Sequence, residues 1–114
     1  LIHFQIFLIV NNENFSFLGR TFDIDKAKAM VACGEVVDQG QVPIKNIWKW
    51  INVIDVDQDY ALQMTKDHLL QPVILAKFEN EDLLIDGYHR LTKAMSIRVA
   101  TLPFASIHAQ DVLI

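Results

Sequence analysis

The sequence predicts an α+β domain, a small mixed sheet with packed helices, and three observations carry that prediction. The chain has 114 residues and 52% of them are apolar, enough for the core of one modest domain. Two apolar runs, Gln71–Phe78 and Leu83–Ile85, flank the turn Glu79-Asn80-Glu81-Asp82 and read as a β-hairpin. Directly after Ile85 the apolar period changes from two to three and four, through Leu91, Ala94 and Met95, which marks a helix.

The other elements follow in order. His3 to Val10 is rich in branched and aromatic residues and reads as a strand. Asn11 to Asn14 is a turn, and Phe15 to Leu18 is expected to return as a second strand or to swap onto a neighbouring molecule. This divides the chain into an extension, residues 1–21, and a domain, residues 22–114. Asp23 or Asp25 can cap a helix that runs to about Cys33, with Ala27, Met30 and Val31 on its apolar face, Lys26 and Lys28 off it, and Gly34 as its stop. Cys33, beside Met30 and Val31, reads as a small core residue.

Gln41 to Ile47 is a short extended segment leading to Trp48 and Trp50, which suit half-buried anchors better than a stacking surface. Asp55 to Lys66 holds a short helix with Tyr60, Leu62 and Met64 as packing residues. Pro72 is tolerated at a strand start, and Pro103 suggests that the last strand, Thr101 to Ile107, lies at a sheet edge.

Composition excludes several classes of function. The formal charge is -4 with no basic stripe, so DNA binding is expected to be weak or absent without a separate domain. Cys33 is alone, which rules out an intramolecular disulfide and cysteine-rich metal sites. The apolar segment Ile2 to Val10 is too short to span a bilayer, so no membrane partner and a cytoplasmic location are expected. Only 21% of residues are charged, which leaves room for exposed apolar surface and a homo-oligomer. Asp55-x-Asp57-x-Asp59 imitates a calcium loop but has Tyr60 at the glycine position and Lys66 at the glutamate position. His3, His68 and His108 show no metal-ligand spacing.

The segment Asp86-Gly87-Tyr88-His89-Arg90 is the conspicuous candidate site. It joins a strand to a helix, where free N–H groups and the positive end of the helix dipole attract anions. Gly87 permits a tight turn and close approach of a ligand. Arg90 has the guanidinium fork for phosphate oxygens, His89 can donate a hydrogen bond or carry a proton, and Asp86 can cap the helix or hold Mg²⁺ through water. Tyr88 offers a phenol and a ring face. The same residues also suit a purely structural junction, with Arg90 paired to Asp86 four residues back.

Gln71-Pro72-Val73-Ile74-Leu75, the hairpin, Leu84-Ile85-Asp86-Gly87-Tyr88-His89-Arg90-Leu91, Ala94 and Leu102-Pro103 together resemble the ParB/sulfiredoxin superfamily. The resemblance is greatest to small plasmid- or phage-type ParB-like domains with a DG-x-HR loop. It covers residues 71–107 well and Phe22 to Ile47 loosely. It implies a nucleotide site, ATP or CTP with Mg²⁺, in which Gly87, Tyr88, His89 and Arg90 bind phosphate, Asp86 holds the metal, and Asp86, His89 and Arg90 serve any hydrolysis or phosphoryl transfer.

The departures narrow that implication. Tyr88 stands where sulfiredoxins have their nucleophilic cysteine, so sulfiredoxin activity is not expected. Tyr88 and His89 replace the Glu and Arg of the chromosomal ParB box, and no helix-turn-helix is expected within residues 1–114. Kinase-like members also need an upstream carboxylate, for which Asp55, Asp57 and Asp59 are the candidates. The competing expectations are a non-catalytic homodimeric interaction domain and a DNA partition or processing accessory.

Overall fold

The computed structural model describes residues 13–47 and 56–114. The chain is an α+β fold built on a mixed four-stranded sheet in the order β3-β6-β4-β5, where β3 is Asp38–Pro43, β4 Val73–Lys77, β5 Asp82–Asp86 and β6 Thr101–His108. β3 pairs antiparallel with β6, β6 parallel with β4, and β4 antiparallel with β5. A separate ribbon joins β1, Asn14–Phe17, to β2, Arg20–Asp23. The helices are α1, Ile24–Ala32, α2, Gln58–Gln63, and α3, Tyr88–Ser96.

Alternation along β4 and β5 sends side chains to both faces of the sheet. Val73, Leu75 and Leu84 join Tyr88, Leu91 and Ala94 of α3, Ala61 of α2 and Leu69 in one buried cluster. Ile74, Ala76, Leu83 and Ile85 join Phe22, Ile24 and Ala27 in a second, with Ile107 and Val112. Burial on both faces is why these two strands read as unbroken apolar runs rather than as alternating ones. The parallel β4–β6 pair requires a crossover, supplied by β5 and α3, and this places the start of α3 directly after β5.

Sequence cues set the ends of α1. Asp23 Oδ1 accepts the Lys26 N–H at 3.0 Å as the N-cap. Gly34, at φ 78°, closes the helix: its N–H bonds Val31 O at 3.1 Å, and the Glu35 N–H bonds Met30 O at 2.9 Å. This paired pattern is a Schellman motif.

Several expectations are corrected. Phe15 to Leu18 does return as a strand, but β1 pairs with β2 across a two-residue turn, Leu18-Gly19, with both residues at positive φ. The expected strand from His3 to Val10 and the two tryptophans lie outside the described residues. β6 is an interior strand, not an edge. Pro103 fits there because it stands opposite Gln41 of β3, while the ladder to β4 begins only at Phe104. On α2 the buried residue is Ala61, whereas Tyr60 and Leu62 are exposed. Cys33 is exposed rather than in the core, because it falls at the C-cap, beyond the buried face of α1.

Candidate functional site

The junction between β5 and α3 is built around Gly87 and Arg90. Gly87 is the N-cap of α3 and has φ 116°, in the region that favours glycine. A Cβ there would lie 2.5 Å from Val73 Cγ1, so both the conformation and the space require glycine. Gly87 gives α3 no side-chain cap, so first-turn amides are left for water or a ligand.

Arg90 turns inward. One terminal nitrogen donates to Asp86 Oδ2 at 2.9 Å, and the other donates to Gln71 O at 3.2 Å and Pro72 O at 3.0 Å. The side chains of Arg90 and Asp86 are only 11% and 16% exposed. The guanidinium is therefore used by the fold, tying the start of β4, the end of β5 and the first turn of α3 together. Asp86 does not cap the helix; its carboxylate answers Arg90 instead.

Tyr88 is also structural in its contacts. Its ring stacks on Phe15 with centroids 5.5 Å apart, and its hydroxyl donates to Leu84 O at 2.5 Å. Burial pushes its phenol well above the ordinary tyrosine range, so it stays protonated. His89 faces a different environment. It is partly exposed and meets Tyr60 edge-on at 4.9 Å, and its ring has no hydrogen-bond partner among the described residues.

Asp86, Gly87, His89 and Arg90 line one cleft of about 590 Å³, within the usual range for small-molecule sites. Tyr60 and Met64 line it from α2 and the residues just after it, His68 and Gln71 from the segment before β4, and Lys28 and Val31 from α1. His68 is held by its own turn, where its Nδ1 accepts the Thr65 N–H at 3.1 Å. Lys28 Nζ donates to Glu13 Oε1 at 2.7 Å. That hydrogen bond is the main reason the Lys28 ammonium is held above its ordinary pKa; partial burial opposes it, and the Asp86 carboxylate adds to it.

Sequence reasoning singled out the loop but missed Lys28, Glu13 and Tyr60. Lys28 carries only the signal of a residue off the apolar face of α1, which is the signal of any solvated lysine. Asp57 caps α2 through Tyr60 N at 3.1 Å, Asp55 is outside the described residues, and neither Asp57 nor Asp59 lines the cleft. The donors present do not fit a resident Mg²⁺ ion. Among the described residues no three His, Cys, Asp or Glu side chains form a metal cluster, and Asp86 is engaged by Arg90. Among the same residues no helix is long and apolar enough to cross a membrane.

Comparison with known protein families, with curated proteins and with solved structures finds no match. The fold and the cleft thus define the class on their own: an α+β domain with a glycine-opened strand-to-helix junction at the wall of a mid-sized cleft.

Proposed function

We propose that this domain is a nucleotide-binding module of the ParB-like type, taking ATP or CTP with the phosphates at the start of α3. The observation that carries the reading is the uncapped first turn of α3, opened by Gly87 onto a cleft that also presents His89 and Lys28. Backbone amides and the helix dipole favour an anion there, and the two side chains add donors to it. The resemblance at residues 71–107 points to the same ligand class.

The roles differ from those a bare motif suggests. Arg90 positions the loop, since its two terminal nitrogens bond the Asp86 carboxylate and the Gln71 and Pro72 carbonyls. His89 and Lys28 are the side chains placed to contact it. Asp86 is neutralised by Arg90, so the proposal is binding rather than hydrolysis or transfer.

Calorimetric titration with ATP and with CTP, each with Mg²⁺, tests this. Wild-type protein is expected to bind one of them saturably. His89→Ala and Lys28→Ala are each expected to weaken it by roughly tenfold, the loss of one charge-assisted hydrogen bond. Absence of binding to either nucleotide by folded wild-type protein overturns the reading and favours the protein-interaction domain.

A further inference from the structure

The cleft contains two ion pairs of very different character, and the difference decides which one a ligand can open. Asp86–Arg90 is nearly enclosed and is reinforced by the Gln71 and Pro72 carbonyls. Removing one partner of such a pair leaves a buried charge, which is costly. Lys28–Glu13 is short, 2.7 Å, but its side chains are 51% and 50% exposed. Exposed pairs contribute little to stability, so exchanging one acceptor for another on Lys28 is cheap.

Glu13 is nonetheless not a random surface partner. Its N–H donates to Asp25 Oδ2 at 2.7 Å, and its C=O accepts the Ile24 N–H at 2.9 Å. Both bonds fasten its backbone to the start of α1, and its side chain reaches Lys28 one turn further along that helix. The backbone is fixed while the carboxylate is replaceable. As it stands, the positive charges of Lys28 and Arg90 are each answered by a carboxylate, so an incoming phosphate meets no uncompensated side-chain cation from either.

We propose that Glu13 is an internal stand-in for the ligand's phosphate: it occupies Lys28 in the unliganded protein, and a phosphate-bearing ligand binds by displacing it. This rests on the reading of the cleft as a phosphate site and adds a residue and an exchange step to it. Glu13 sets the affinity by competition, and it selects for ligands with enough negative charge to win Lys28 from a carboxylate. A nucleoside triphosphate meets that demand better than a monophosphate or a neutral nucleoside.

The test is a double-mutant cycle on the full chain, read by calorimetry with ATP, CTP and inorganic pyrophosphate as probes. Glu13→Gln is expected to tighten binding by roughly two- to fivefold, the release of one exposed ion pair. Lys28→Ala is expected to weaken it, and Glu13→Gln added to Lys28→Ala is expected to change nothing further, because the competitor then has nothing to guard. Thermal unfolding of each variant checks that the fold is kept. If wild-type protein binds but Glu13→Gln binds equally or less tightly, the exchange is wrong and the phosphate site stands. Equal tightening by Glu13→Gln with and without Lys28 also overturns it, since the carboxylate would then act by general repulsion. If neither wild type nor Glu13→Gln binds any of the three probes, the phosphate site falls and the exchange falls with it.

Discussion

Arg90 spends three hydrogen bonds on its own fold, and that choice separates two meanings of the Asp86–Arg90 motif. Its donors meet Asp86 and the carbonyls of Gln71 and Pro72, and its side chain is 11% exposed. Arg90→Ala would leave a mostly buried carboxylate and two carbonyls without their partner. A loss of about 3 kcal/mol or more in unfolding free energy is expected, measured by urea denaturation. A loss below about 1 kcal/mol would show that the guanidinium does not hold the junction together. The motif residues were legible in the sequence because strand, glycine and helix signals converge on them. Whether Arg90 faces a ligand or Asp86 was not legible, because the four-residue spacing suits both and the deciding carbonyls lie 18 and 19 positions upstream. Lys28 and Glu13 lie further still from the loop in sequence, and no local signal ties them to it.

Elements with strong local signals were placed well, and those decided by pairing were not. The hairpin of β4 and β5, the start of α3 and both ends of α1 follow from period, cap and glycine, all of which act within a few residues. The interior position of β6 depends on where β3 and β4 meet it, more than twenty residues away along the chain, and a proline signal is silent on that. The two ends of α1 allow the local signals to be weighed separately. Asp23→Ala removes the acceptor of the Lys26 N–H and is expected to cost about 1 kcal/mol. Gly34→Ala meets no atom within 4 Å of its new Cβ, so its cost is purely the positive φ, again about 1 kcal/mol. Gly87→Ala adds a clash with Val73 to its strained φ and is expected to cost more than either. Equal costs for Gly34→Ala and Gly87→Ala in chemical denaturation would mean that the junction relaxes around the added methyl group.

At the scale of the whole molecule, the sheet separates two cores. Leu91, fully buried on α3, belongs to one, and Ile24, 1% exposed on α1, belongs to the other. Each large-to-alanine change is expected to cost about 2–5 kcal/mol. The two residues share no cluster, so their costs are expected to add within about half a kcal/mol, which unfolding of both single variants and the double variant measures. Among the described residues one link crosses the divide. Phe15 packs against both clusters, with its ring 5.5 Å from Tyr88 and 6.4 Å from Phe22. That contact predicts a single cooperative transition in every variant, because loosening one core pulls on the other through Phe15. A separate early transition in Ile24→Ala would instead show that β2 and α1 melt as their own unit. The wall of the cleft carrying Lys28 and Glu13 would then open before the wall carrying His89, and ligand affinity would fall with temperature ahead of the main unfolding.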